Sequence, residues 1–180
     1  MSLTNKLYKS RNTILDMLEL RGYDVSQYRN YSINEIDIMN RNMPLKVGPN
    51  MESLDLMITN KETGNKVYLK YVLNSKIRVQ AITNIIRDIV PAFDIDEVLE
   101  VENPDEMTDM LSPGDELIII IRDKVTNTEI LDNYLKKYYL STKIFVQFFW
   151  INSLQIKIID HDYVPDHRII SELEKQQLLV

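Results

Sequence analysis

Two short constellations in this 180-residue chain carry residue types that could do chemistry. The first is His161 and His167, flanked by Asp160, Asp162 and Asp166. Imidazole and carboxylate at close spacing can hold zinc, but a closed tetrahedral site wants further ligands, and these are the chain's two histidines. They read instead as hydrogen-bonding or interface groups, and no metal is expected. The second constellation is the loop Arg122 to Thr128. Arg122 and Lys124 precede Thr126-Asn127-Thr128-Glu129, which has the spacing of a capping box. Two cations before a helix N-terminus, with its free amides and positive dipole, suit a phosphate. No serine nucleophile elbow, Walker loop or Gly-x-Gly-x-x-Gly run occurs, so no cofactor is expected.

The totals narrow the class. Hydrophobic residues at 44% and charged residues at 27% describe an ordinary globular protein, long enough for one large or two small domains. Without cysteine there is no disulfide framework and no thiolate ligand or nucleophile, which suits a reducing compartment. Met1 to Thr13 lacks the apolar core of a signal peptide, and no run approaches the ~20 apolar residues of a spanning helix. The chain therefore reads as intracellular and soluble, with no membrane partner. Net charge is −6 and the pI about 5.0, whereas a chain that held DNA alone would carry a pI above ~9. Any DNA contact must then be local or supported by a larger assembly. Scarce Gly with plentiful Asn, Ile and Tyr hints at an AT-rich genome, such as that of a large DNA virus.

The elements that would position these residues follow from periodicity. Leu7, Ile14, Leu15 and Leu18 share one face of a helix over Thr4 to Arg21, with Lys6, Arg11 and Asp16 elsewhere, and Gly22 ends it. Ser32-Ile33-Asn34-Glu35 is a capping box opening a helix to about Arg41. Leu54, Leu56 and Ile58 alternate as a strand, Asn60 to Asn65 turns, and Val67 to Leu73 returns as a hairpin. Lys76 to Val90 is helical, with Ile77, Ala81 and Ile85 beside Ile82, Ile86 and Ile89 in one wide stripe. Phe93 to Glu116 is acidic, with no Lys or Arg, and reads as a solvated excursion closed by Pro113-Gly114. Leu117 to Ile121 is a strand buried on both faces, and Lys143 to Trp150 another, apolar enough to be central. Between them a helix runs from the Thr126 box through Tyr139. Strand, helix and strand in succession make helices on a mixed or parallel sheet the expectation, and a mixed sheet in an α+β fold the choice.

Leu154, Ile156 and Ile158 alternate with Gln155 and Lys157 as a last strand. Val164-Pro165 forces a turn, and Ser171 with Glu174 caps a helix bearing Leu173, Leu178 and Leu179. The run Ile156-x-Ile158-x-x-His161-x-x-Val164-Pro165-x-His167 with this capped helix resembles the start of the assembly domain in the fifth common subunit of eukaryotic-type DNA-directed RNA polymerases, a family with an archaeal counterpart. Arg11-x-x-Ile14 through Arg21-Gly22-Tyr23 resembles the same family's opening helix. The resemblance implies a jaw domain over 1–147, carrying an acidic insertion at about 93–116, and the beginning of a short assembly domain over 148–180. It implies docking on the largest subunit through His161, Val164, Pro165 and His167, with other polymerase subunits and transcription factors as further partners. The family's Thr-Pro-Ser loop at the jaw tip corresponds to Thr126-Asn127-Thr128, the proline being absent. Arg122, Lys124, Thr126 and Asn127 are thereby expected near downstream double-stranded DNA. In the family a basic, glycine-bearing segment follows the helix that here ends at Val180. The place implied is the nucleus for a cellular protein, or the virion and host cytoplasm for a viral one.

The hairpin and later strands also resemble restriction-endonuclease-like cores, a likeness the polymerase jaw shares. Such a nuclease needs an aspartate on one strand and an acid-x-lysine triplet on the next, two carboxylates holding Mg²⁺ while the lysine positions water. Asp55 is available, and Tyr68-Leu69-Lys70 stands where the triplet would be, but Tyr68 brings no carboxylate. The expectation is therefore a non-catalytic polymerase subunit. Its rivals are an acidic adaptor of the same fold working outside polymerase, and a metal-dependent nuclease.

Overall fold

Leu117 to Ile121 is an unbroken apolar run, and a strand of that kind loses water on both faces only if layers cover both. The computed structural model describes residues 1–41, 54–89, 111–126, 128–157 and 164, and it places this run at the centre of the sheet. Strand β1 (Leu56–Thr59) pairs antiparallel with β2 (Lys66–Val72), and β3 (Glu116–Ile121) runs parallel to β2 on one side and β4 (Phe145–Trp150) on the other. The order is β1-β2-β3-β4, and every residue of β3 is buried. Helices α1 (Leu3–Leu20) and α2 (Ile33–Arg41) pack on one face with Leu56, Ile58, Leu69, Tyr71, Ile118 and Ile120. On the other face α3 (Val79–Ile89) and α4 (Thr128–Thr142) meet Tyr68, Val72, Leu117, Ile119, Ile121 and Val146. The fold is mixed α+β, with helices on a mixed sheet as expected. Both crossover helices lie on one face while the strands advance in one direction, so the two crossovers share one hand.

Local chemistry sets the boundaries. Ser2 caps α1 by accepting from the Asn5 N–H at 3.3 Å. Gly22 ends the helix at φ +85°, where a Cβ would lie 3.2 Å from Asn60 Nδ2. At α2 the box is reciprocal: the Ser32 N–H donates to Glu35 Oε2 (2.7 Å) and the Glu35 N–H to Ser32 Oγ (3.3 Å). Helix α3 starts three residues later than its apolar stripe suggests, because Lys76 sits at φ +56°, outside the helical region. Of the expected stripe only Ile82, Ile86 and Ile89 are buried; Ala81 is exposed and Ile77 and Ile85 are half-covered. Helix α4 begins at Thr128 and runs past Tyr139 to Thr142, with Lys143 at φ +59° reversing the chain into β4.

Four expectations need correction. Arg11, placed off the apolar face of α1, is buried, its Nη1 donating to the Leu54 carbonyl (3.3 Å) and its guanidinium 5.1 Å from the Tyr31 ring centroid. Leu54, just before β1, and Tyr31, just before α2, cover this side of the helix too. The end of the acidic stretch is not solvated: Asp115 and Glu116 are buried. Asp115 accepts from the Lys66 N–H and the Ser112 N–H, each at 2.7 Å, and so ties the Pro113-Gly114 turn to the start of β2. Residues 90–110 of that stretch lie outside the described residues. Strand β4 is an edge of the sheet among the described residues, not a central strand. The strand expected from Leu154 is instead a 3-10 turn, Ser153–Gln155. Leu154 is buried against α1, but Ile156 is 65% exposed. Gln155 Nε2 donates to the carbonyls of Ile151 (2.7 Å) and Lys6 (3.1 Å), tying the turn back to the end of β4 and across to α1. Ile158 lies outside the described residues.

The left-handed φ and the close approach of Asn60 make Gly22 hard to replace. Gly22→Ala should lower the unfolding free energy by about 1–2 kcal/mol, seen as a lower denaturant midpoint with an unchanged m-value.

Candidate functional site

The hairpin register brings the two nuclease-type residues together. Leu56 pairs with Leu69 in an antiparallel ladder, so Asp55, one residue before β1, stands opposite Lys70. Lys70 Nζ donates to Asp55 Oδ2 at 2.5 Å, and the Tyr71 N–H donates to Oδ1 at 2.9 Å. Asp55 is 4% exposed and the Lys70 side chain 13%. Tyr68, two residues before Lys70 and on the same face, is fully buried. Burial, and after it the neighbouring Asp55 carboxylate, push its hydroxyl pKa well above the ordinary tyrosine value. A phenol therefore occupies the place where a second carboxylate would be required. Among the described residues no three His, Asp or Glu side chains are grouped to hold a metal ion. What this arrangement can do is clamp β1 to β2 through a buried ion pair.

The cationic loop is built differently. Its backbone is held between neighbouring strand ends: the Arg122 N–H donates to the Val72 carbonyl (3.1 Å), and the Arg122 carbonyl accepts from Trp150 Nε1 (2.9 Å). Asp123 Oδ2 accepts from the Lys76 N–H at 3.4 Å, joining this loop to the β2–α3 connection, and Val125 is buried beneath it. With the backbone tied down, Arg122, Lys124 and Thr126 are exposed; Asn127 lies outside the described residues. Lys76 and Arg78 are exposed on the joined connection, and Lys6 lines a polar cleft with Arg122, Asp123 and Asn152. Motif spacing alone does not single out Lys6, Lys76 or Arg78. A signal for the last two exists, since Lys76, Arg78, Arg122 and Lys124 all follow the carboxyl ends of parallel strands, where connections converge. Among the described residues, Asp123 is the one acid that lines the cleft.

The opposite end of the sheet carries Arg21-Gly22-Tyr23. Arg21 Nη1 donates to Glu116 Oε1 at 3.3 Å, with a closer contact from Nη2 to Oε2, and Gln147 Nε2 donates to Oε1 at 2.6 Å. Tyr23 bridges Asn60, whose Nδ2 donates to the Arg21 carbonyl at 2.9 Å. The triplet is a helix stop, as expected, and also a junction of α1, the hairpin and β3. Of the docking residues, Val164 is half-buried in a bend; His161, Pro165 and His167 lie outside the described residues.

Removing one partner of a buried pair leaves an uncompensated charge, at a cost of about 3–5 kcal/mol. Lys70→Ala should therefore destabilise the fold by about that amount in urea unfolding; a change within about 0.5 kcal/mol would mark Lys70 as a surface residue without this clamp.

No protein-family model matches the chain, and no curated protein matches it.

Proposed function

We propose that this chain is a non-catalytic subunit of a multisubunit DNA-directed RNA polymerase. In this reading the sheet and its helices form a jaw beside downstream duplex, and the segment around Val164-Pro165 docks on the largest subunit. The observation that carries the reading is the gathering of Lys76, Arg78, Arg122 and Lys124 at one end of the sheet, on a chain whose net charge is −6. A local cationic edge on an acidic body is what a part needs that touches phosphates only when a larger partner holds it there. The motif resemblance at Arg21-Gly22-Tyr23 and at Ile156 to His167 supplies the family. The engaged Asp55 carboxylate, with Tyr68 beside it, supports giving this chain no bond-breaking role.

Affinity purification of the intact chain from its own source tests the assignment. Stoichiometric recovery of the two largest polymerase subunits is the expected result, and recovery of the chain free of them would sink it. Within the purified assembly, Arg122→Ala with Lys124→Ala should lower crosslinking to downstream duplex. The log–log salt slope of DNA retention should flatten by about two, one for each lost phosphate contact. Unchanged yield and slope would remove these residues from the DNA path.

A further inference from the structure

The two edges of the sheet are finished differently. On β1 the outward carbonyls of Met57 and Thr59 are occupied, accepting from Tyr28 Oη (2.8 Å) and the Asp24 N–H (3.4 Å). Strand β4 has no such cover among the described residues. The N–H groups of Phe145 and Ile151 donate inward to the Asp115 and Ile121 carbonyls. By alternation, the N–H and C=O groups of Val146, Phe148 and Trp150 point away from the sheet. The strand reads Phe145-Val146-Gln147-Phe148-Phe149-Trp150, with no charge or proline within it of the kind that keeps an edge from pairing. Phe145 is 50% exposed, and beside it α4 forms a groove wall with Asp132, Leu135, Lys136 and Tyr139.

We propose that the free chain self-associates through this edge, β4 pairing antiparallel with β4 of a second copy about a two-fold axis at Gln147. Charge spacing argues for a second copy as the occupant. Tyr139 stacks edge-on to Phe145 with ring centroids 6.1 Å apart, which aligns helix and strand. From Phe145 to Gln147 the strand advances about 6.6 Å, equivalent to about four residues of helix. Counting back from Tyr139, the axis passes near Tyr134 and Leu135. Exposed Asp132 of one copy then faces exposed Lys136 of the other, and the reverse contact follows by symmetry. In the same register Val146 pairs with Phe148 of the second copy, satisfying the outward groups of both, and Gln147 faces itself in a non-hydrogen-bonded pair. The inference concerns the free chain and does not depend on the polymerase reading.

Sedimentation velocity of the full chain over a concentration series, with two charge variants, tests it. The expected result is a concentration-dependent dimer that either Lys136→Asp or Asp132→Lys alone weakens by at least about tenfold. The double exchange should restore it, because it rebuilds the same opposed pairs. Because the chain has no cysteine, Gln147→Cys adds a single thiol. A non-hydrogen-bonded pair holds its Cα atoms about 4.5 Å apart, within the disulfide range of about 4.4–6.8 Å. Mild oxidation should thus give a covalent dimer from Gln147→Cys and none from Ile130→Cys on the outer side of α4. A monomer at every concentration, a dimer indifferent to both single charge variants, or equal crosslinking at the two positions would overturn the proposal.

Discussion

Leu117 to Ile121 imposes the governing constraint: five successive side chains that must all leave water, alternating between two faces. Burying each is worth about 1.5–3 kcal/mol, so the run as a whole weighs on the scale of the entire stability of a small domain, about 5–15 kcal/mol. One layer of helices could cover only half of it. The chain meets the demand by placing α1 and α2 on one face and α3 and α4 on the other, and by flanking β3 with parallel strands. Parallel neighbours need crossovers, and the crossovers are the helices that cover one of those faces.

A sheet buried on both sides leaves few places for charge, and the charges present are tied to strand register. Lys70 reaches Asp55 only if Leu56 lies opposite Leu69, and Arg21 reaches Glu116 only if α1 ends where β3 begins. Arg11 is buried as well. Burial lowers its pKa from the ordinary guanidinium value, with nearby Tyr71, Tyr31 and Tyr28 opposing that shift. A slip of one residue between β1 and β2 would part Lys70 from Asp55. Polar contacts of this kind add little net stability but penalise wrong pairings.

The two ends of the parallel strands consequently differ. The strand amino ends hold Glu116, Asp115 and Gln147 against Arg21 and the turn at Gly114. The carboxyl ends carry the cationic connections, with Arg122 held by Val72 and Trp150 so that its side chain is presented outward. Among the described residues, cations gathered at that end would orient an acidic chain in the field of a polyanion, as a uniform charge would not. That polarity is the physical link between this architecture and the proposed place beside downstream duplex.

Several elements are plain in the sequence because they report local preferences. The α1 stripe, the Ser32–Glu35 box, the turn over Asn60 to Asn65, the β3 run and the stop at Gly22 each need only a few neighbouring residues to declare themselves. Asp55 and Lys70 are legible as residue types at suggestive positions, and Arg122 and Lys124 as cations before a helix. What pairs with what is not legible. Periodicity states which side chains avoid water but not what covers them, so β4 passes for a central strand and Leu154 for the start of another. Arg11 looks like a surface cation until the segment before β1 and Tyr31 close over it. The Asp55–Lys70 clamp, the joining of Lys76 and Arg78 to the Arg122 loop, and the place of β4 at the sheet edge among the described residues exist only once distant segments meet. Composition and spacing determined that this chain packs helices on a sheet with one strand buried on both faces; the pairing of strands decided which charges are sealed inside it and which face solvent, because burial belongs to the assembled layers and not to any one stretch of chain.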